Sequence, residues 1–365
     1  MDSRKDADER IERWVRPEIR ALKAYHVPPA EGLIKLDAME NPYVWPESMI
    51  DDWLATLRGV SLNRYPDPAP RELMDALRDW AGVPADADLI LGNGSDELIQ
   101  MIALVVGGPG RKVMAVEPAF SMYRMISLFA GLDFVGVALR AGDFALDVDA
   151  MLEAIGREQP AVILIDYPNN PTGRLFEAVD LRRIIEAAPG LVVVDEAYHA
   201  FSEQTLMSWL GEFPHLMILR TLSKMGLAGL RLGMLAGHPA VIAEIDKIRL
   251  PYNINVLTQA SALFALRHRD VLDEQAARIR DDRSRLFAEL SALPGVEALP
   301  SHANFILFRV PAGEGERIFR ALLERRVLIR NLAGAGLRDC LRVTVGAPEE
   351  NAAFIAALGA ILHER

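Results

Sequence analysis

The chain of 365 residues contains a single cysteine, Cys340, so no disulfide bond can form within it. Zinc and iron–sulfur sites that need several cysteine ligands are excluded for the same reason, and we predict no metal site. Positive charge is scarce as well, because 40 lysines and arginines stand against 51 aspartates and glutamates, a net charge of −11. This acidic balance argues against nucleic acids and anionic membranes as partners, since both would be repelled.

Long apolar runs are also missing. Met101–Gly108 is among the longest, and it is too short to cross a bilayer. The segment Met1–Asp6 leads into alternating charges without an apolar core, which is unlike a signal peptide. We therefore expect a cytoplasmic protein, and its length favours two domains.

What the sequence does contain is a series of short apolar runs between residues 89 and 237. Those that we predict to be strands are Leu89–Leu91, Val113–Val116, Ala161–Ile165, Leu191–Val194, Leu216–Leu219 and Met234–Ala236. The middle four show no polar alternation, which is typical of strands buried on both faces of a mainly parallel sheet. Helical segments between the runs complete the pattern of a three-layer α/β/α domain.

We predict three regions along the chain. Residues 1–35 form an arm, with apolar residues at helical spacing over 8–25, and a segment of the small domain. Residues 36–260 form the large domain, and residues 261–365 form a smaller α+β domain. One long helix, Thr258–Leu293, is predicted to connect the two domains.

Ligands of such sheets bind beyond the carboxyl ends of the strands. After the first run, Gly94, Ser95 and Asp96 open a helix, and a Gly-rich turn at a helix start suits a phosphate. Alternatively, Ser95 and Asp96 only cap that helix. Phe120, after the second run, could stack on a flat heteroaromatic ring or be a core aromatic.

The next two strand ends carry polar groups. Two prolines and a glycine fix the turn over residues 166–173, where the amide of Asn170 can bond a ligand oxygen. Asp195 ends a fully buried strand and needs a cationic partner, such as a protonated pyridine nitrogen. Tyr198 could hydrogen-bond the phenolic oxygen of the same ring.

The last strand end contains Thr221, Ser223 and Lys224, followed by Arg231. A lysine can form an imine with an aldehyde, while hydroxyls and an arginine can hold a phosphate. Taken alone, Ser223-Lys224 is more typical of a solvated turn. Taken with the other four strand ends, it describes a site for pyridoxal 5′-phosphate (PLP).

Three of these motifs resemble those of the fold-type I PLP-dependent aminotransferases of the class I/II superfamily: Asn169–Gly173, Asp195–Tyr198 and Ser223-Lys224 with Arg231. More narrowly, the chain resembles the histidinol-phosphate aminotransferase family along nearly its whole length. The segments that carry this resemblance are Arg16–Tyr25, Glu40–Tyr43, Arg64–Asp67 and Leu341–Asn351.

The resemblance implies roles for individual residues. Lys224 matches the Schiff-base lysine, which also moves the proton between substrate and cofactor. Asp195 matches the partner of the pyridine nitrogen, Asn170 and Tyr198 match the ligands of the ring oxygen, and Phe120 matches the stacking aromatic. The implied phosphate ligands are Gly94, Ser95, Asp96, Thr221, Ser223, Arg231 and, from the neighbouring subunit of a homodimer, Tyr65.

The resemblance also implies a substrate. Histidinol phosphate would give its amino group to 2-oxoglutarate in a ping-pong reaction through a Lys224 aldimine, forming imidazole-acetol phosphate and glutamate for histidine biosynthesis. The implied substrate-binding residues are Tyr25, Asn41, Tyr252, Arg330 and Arg342. The guanidinium of Arg342 could take either a carboxylate or a phosphate. Arg330 could instead belong to a solvated basic face.

Other interpretations stay open. Asp37 and Met39 stand where the family often has asparagines, which leaves the amino donor less certain than the cofactor. An aromatic amino-acid aminotransferase or a PLP-dependent decarboxylase of a phosphorylated amino acid would keep the same site. A PLP-sensing regulator would need a DNA-binding module, for which the chain offers neither spare length nor a basic face.

Overall fold

The computed structural model describes residues 10–24 and 28–364. Thirteen strands lie within this part of the chain: β1 (Ile34–Lys35), β2 (Asp88–Gly92), β3 (Lys112–Glu117), β4 (Asp133–Ala138), β5 (Val162–Asp166), β6 (Leu191–Asp195), β7 (Leu216–Thr221), β8 (Gly233–Gly237), β9 (Glu297–Ala298), β10 (Phe305–Arg309), β11 (Val327–Leu328), β12 (Arg330–Asn331) and β13 (Cys340–Thr344).

The α-helices span Pro17–Arg20, Glu47–Leu57, Arg71–Ala81, Ser95–Val106, Met122–Phe129, Val148–Glu158, Ala178–Ala187, His199–Ser202, Pro239–Asp246, Val256–Arg267, Arg269–Ser291, Gly315–Glu324 and Pro348–His363. No helix among the described residues is both long enough and apolar enough to cross a membrane.

Seven strands form the central sheet in the order β2-β8-β7-β6-β5-β3-β4. All neighbouring pairs are parallel except those of β8, which runs antiparallel to both β2 and β7. Strands β5, β6 and β7 are buried along almost every residue, because apolar side chains pack on both faces of the sheet. The predicted three-layer α/β/α architecture with a mainly parallel sheet is confirmed.

The C-terminal part of the chain builds a second, smaller unit. Its four-stranded antiparallel sheet has the order β12-β13-β10-β9, and the short parallel pair β1-β11 joins the N-terminal segment to it. A separate apolar core lies between this sheet and its helices, and Tyr198, in the segment that follows β6, contributes to that core. The division at residues 35 and 260 stays a prediction, although the helix Val256–Arg267 packs into the core of the large sheet.

Three local features differ from the sequence-based predictions. The predicted helix Thr258–Leu293 is two helices, because His268 leaves the helical conformation (φ −114°, ψ 31°) between them. The arm over 8–25 is not one helix either, since Pro17 starts a new one. The strand β4 was missed because this edge strand is only partly buried and contains Gly136, which weakens the apolar signal.

A buried ion pair joins the ends of β6 and β7. Arg220 donates to the carboxylate of Glu196 through Nε at 2.9 Å, and both side chains are almost fully buried, with 2% and 0% of their surface exposed. Thr205 completes the cluster, because its hydroxyl donates to Glu196 and accepts from Arg220. In sequence, Glu196 immediately follows Asp195, and Arg220 immediately precedes Thr221. The ion pair therefore holds together the two strand ends that open into the predicted site.

We expect Glu196→Ala to lower the free energy of unfolding by about 3–5 kcal/mol, because it leaves the Arg220 charge buried without its partner. Urea denaturation measures this loss. As a control, Glu244→Ala removes an exposed ion pair with Lys247 and should change the stability by no more than about 0.5 kcal/mol. Equal losses in the two variants would contradict the role given to the buried pair.

Candidate active site

The register of the central sheet brings the predicted site motifs to one edge. Asp166 lies opposite Asp195 between the parallel strands β5 and β6, and Thr221 lies opposite Gly233 between β7 and β8. Gly92, which precedes the Gly94 turn, lies opposite Gly233 on its other side. The loops after five strands therefore open side by side, as ligand sites of α/β sheets do.

Asp195 is a buried carboxylate whose hydrogen bonds come from uncharged groups. Its Oδ2 accepts from the hydroxyl of Tyr123 at 2.9 Å, its Oδ1 accepts from the amide of Ala197 at 3.0 Å, and 5% of the residue is exposed. Burial raises the pKa of Asp195 to about 6, although both hydrogen bonds lower it. A cation beside this carboxylate would favour its ionised form.

A chain of hydrogen bonds links Asn170, Tyr198 and Arg342. The amide nitrogen of Asn170 donates to the hydroxyl oxygen of Tyr198 at 3.1 Å, and Nη1 of Arg342 donates to the amide oxygen of Asn170. Burial raises the pKa of Tyr198, with the charge of Arg342 opposing the shift, so the phenol stays protonated at neutral pH. Its O–H is therefore available to donate to an acceptor in the site.

Lys224 extends toward the same cluster. Its Nζ donates to the carbonyl oxygen of Ala38 at 3.3 Å and lies 5.9 Å from the ring centroid of Tyr198. Burial is the main cause that lowers the pKa of Lys224 to about 8, and the nearby positive charge of Arg342 lowers it further. At neutral pH this lysine is therefore the free, nucleophilic amine far more often than a lysine with the ordinary pKa is.

The start of the helix Ser95–Val106 forms a cradle with the loop after β7. Gly94 precedes the helix at φ 85°, a conformation that favours glycine, and a Cβ there would lie 2.7 Å from Nη2 of Arg231. The Thr221 hydroxyl donates to the Ser223 hydroxyl at 2.9 Å. Nη2 of Arg231 lies 3.6 Å from Oδ2 of Asp96. Because the first helical amides point outward and the helix dipole is positive here, this cradle suits an anion.

Phe120 lies at the edge of this group of residues. Its ring packs edge-on against Tyr123 with 5.7 Å between ring centroids, and its amide donates to Oδ2 of Asp166 at 3.2 Å. Tyr123 and Asp166 are contacts that the sequence-based interpretation left without a role. A buried hydroxyl three residues after Phe120 and a carboxylate at the start of the 166–173 turn were the signals available for them.

Other predicted residues lie in different surroundings. Tyr65 is 80% exposed and stacks on Tyr252 of its own chain, with 4.5 Å between ring centroids. The side-chain amide of Asn41 donates hydrogen bonds to the carbonyl oxygen of Met225 and to the side-chain oxygen of Gln275. These bonds hold the segment of Asn41 against the loop that follows Lys224. Tyr252 and Asn41, which were both predicted to contact the substrate, thus each contact other residues of the same chain.

Arg330 faces Arg342 as its partner in the antiparallel register of β12 and β13. Residues opposite each other in such a pair project from the same face of the sheet, and like charges there repel. An anionic ligand on that face of the sheet would be attracted to both residues. Tyr25, the remaining predicted substrate contact, lies outside the described residues.

Comparison with known proteins agrees with this geometry. The family profile of class I and II aminotransferases matches residues 31–358. A protein of Nitrosococcus oceani named histidinol-phosphate aminotransferase 2 is 58% identical over 96% of this chain and 98% of its own length. A protein of Cupriavidus pinatubonensis with the same name is 52% identical over 97% of this chain and 98% of its own length.

A solved structure is similar over nearly the whole fold. The histidinol-phosphate aminotransferase of Sinorhizobium meliloti, in complex with pyridoxal 5′-phosphate, superposes with a TM-score of 0.83 at 25% identity, covering 96% of this chain and 97% of that one. The profile match and the identity to full-length relatives agree on one assignment. This chain belongs to the class I and II aminotransferases, in the branch whose members are named histidinol-phosphate aminotransferase.

Proposed function

We propose that this chain transfers the amino group of histidinol phosphate to 2-oxoglutarate with PLP as its cofactor. The observation that carries the proposal is the position of Lys224, an amine with a pKa lowered to about 8, beside Tyr198 and close to Arg342. The names of relatives at 58% and 52% identity support histidinol phosphate as the amino donor. The similar structure from Sinorhizobium meliloti contains PLP.

The donor groups of the site fit PLP on each of its sides. The cradle of Gly94, Ser95, Thr221, Ser223 and Arg231 offers backbone amides, hydroxyls and a guanidinium, which suit the phosphate.

On the other sides, the buried Asp195 carboxylate suits the pyridine nitrogen, because a cation there favours the ionised form of the acid. Tyr198 and Asn170 offer an O–H and an amide to the ring oxygen, and Phe120 offers a ring face. Bound PLP supplies an aldehyde that condenses with amines and a ring that accepts an electron pair.

We assign Lys224 two tasks. Its neutral amine would hold PLP between reactions, and the same amine, once free, would accept the proton from Cα of the donor and carry it toward the cofactor. Both tasks need the unprotonated amine, and burial together with Arg342 shifts the lysine toward that form. The carbonyl of Ala38 at 3.3 Å accepts a hydrogen bond from Nζ and orients it.

The two arginines account for the substrate pair. Arg342 is held by Asn170 and by the carbonyl oxygen of Asp37 at 3.1 Å, so its guanidinium is fixed before substrate binds. A fixed guanidinium binds either a phosphate or a carboxylate in bidentate fashion. Together with Arg330, it would accept histidinol phosphate in the first half-reaction and 2-oxoglutarate in the second.

A homodimer in the cytoplasm is part of the proposal. Tyr65 is 80% exposed, which leaves its side chain free to enter the phosphate cradle of a neighbouring subunit. Because its ring stacks on Tyr252, the two tyrosines would enter that site together rather than act in separate sites.

The rate of PLP uptake by the cofactor-free protein should rise with pH and reach half of its maximum near pH 8, because only the neutral Lys224 amine reacts. Arg342→Gln removes a like charge, so it should raise the pKa of Lys224 and move the midpoint to higher pH. Stopped-flow absorbance measures both curves. Arg157→Gln, an exposed arginine paired with Glu153 and Glu158, is the charge-matched control and should leave the midpoint in place. A midpoint near 10.5 in the unmodified chain would contradict the assignment.

Single-turnover assays of the PLP-loaded enzyme distinguish the donors. We expect histidinol phosphate to convert the cofactor to its amino form with a kcat/KM at least about 100-fold above that for phenylalanine, because its phosphate brings more negative charge to the Arg342 guanidinium than the single carboxylate of phenylalanine does. Conversion by phenylalanine alone would favour an aromatic amino-acid aminotransferase. Release of carbon dioxide from a phosphorylated amino acid would favour a decarboxylase.

A further inference from the structure

One buried carboxylate contacts both of the loops that approach the ring of the proposed cofactor. Asp166 ends β5, and 2% of its surface is exposed. Its Oδ2 accepts from the backbone amide of Asn170 at 2.8 Å and from the backbone amide of Phe120 at 3.2 Å. A single oxygen atom therefore joins the residue assigned to the ring face with the residue assigned to the ring oxygen.

The neighbouring Asn169 makes a second connection between the same loops. Its Nδ2 donates to Oδ1 of Asp166 at 2.8 Å and to the carbonyl oxygen of Pro118 at 3.0 Å. Its Oδ1 accepts from the hydroxyl of Thr172 at 2.6 Å, and the residue is fully buried. Rotation of the amide would set its NH₂ against the donors of Thr172, so these bonds fix its orientation.

We propose that Asp166 and Asn169 are positioning residues, a latch that holds Phe120 and Asn170 at a fixed separation on two sides of the PLP ring. This inference rests on the proposed function, and neither residue contacts the reacting atoms. The latch spans the loops over 118–120 and 169–173, which belong to the adjacent strands β3 and β5.

The energetic cost of the carboxylate supports a role beyond turn formation. Burial raises the pKa of Asp166 to about 7, and the hydrogen bonds from Asn170 and Asn169 only partly oppose the rise. Asp166 also lies directly opposite Asp195, so two carboxylates share one buried region. A turn stabilised for shape alone would avoid that desolvation and repulsion, whereas two acceptor oxygens on one side chain can hold three donors from two loops together.

The test compares Asp166→Ala, Asp166→Asn and Asn169→Ala with the unmodified chain. For each, fluorescence quenching gives the Kd for PLP, visible circular dichroism reports the orientation of the bound ring, and urea denaturation gives stability. Asp282→Ala is the control, because Asp282 is a buried carboxylate that accepts from Tyr43 and Arg285.

We expect Asp166→Ala to weaken PLP binding by about 10–100-fold, the usual effect of leaving buried donors unpaired, and to change the visible dichroism. Asp166→Asn should recover much of the affinity, because its amide oxygen can still accept from Phe120 and Asn170. Asn169→Ala should fall between the two. Asp282→Ala should lower stability while its PLP affinity and dichroism stay those of the unmodified chain.

Two results would overturn the latch. If Asp166→Ala and Asn169→Ala lose stability but keep the Kd and the dichroism of the unmodified chain, the two residues serve the fold only. If Asp166→Ala does not fold, the same comparison made with Asp166→Asn and Asn169→Ala decides the matter. The second result is failure of the unmodified chain to bind PLP, which would overturn the proposed function together with the latch. The two results are distinguishable, because in the first one the unmodified chain still binds PLP.

Discussion

Burial of the Asp195 carboxylate is the constraint on which the rest of the site depends. The sheet places this residue at the end of a strand that is covered on both faces, so water cannot stabilise the charge. The hydroxyl of Tyr123 and the amide of Ala197 hold the carboxylate in place without neutralising it. A pKa raised to about 6 reports the remaining electrostatic strain, which a cationic ring nitrogen would relieve. A cationic group beside Asp195 would therefore be favoured over a neutral one.

On the other side of the site, positively charged side chains lie close to one another. Lys224 and Arg342 repel each other, and this repulsion adds to burial in favouring the neutral amine. Arg342 and Arg330 are opposite each other in the register of β12 and β13, so their side chains project from the same face of the sheet. In the proposed function, the negative carboxylate and the positive arginines lie at two ends of one site. A ring with a basic nitrogen suits the first end and an anionic substrate suits the second.

The sequence predicted the sheet and the strand-end motifs because β-strands buried on both faces leave an unmistakable apolar pattern. Arg71–Ala81 shows equally clear helical periodicity, and Gly82 ends that helix in the left-handed conformation. The break at His268 was missed because the residues on both sides favour helix, and only tertiary packing decides between one helix and two. The acid at the end of a buried strand, Asp195, and the lysine after two hydroxyl residues, Lys224, indicated which ligand groups each of them would contact. The partners of Asp166 and Tyr123 did not follow from sequence, since they depend on which loops the sheet order brings together.

The central claim is that Lys224, among the lysines of the chain, carries PLP. Borohydride reduction of the PLP-loaded protein, followed by proteolysis and mass spectrometry of the peptides, tests it most directly. The account predicts a pyridoxyl group on Nζ of Lys224, in the peptide that also contains Thr221 and Ser223. A pyridoxyl group on another lysine, such as Lys35 or Lys112, with Lys224 unmodified, would contradict it.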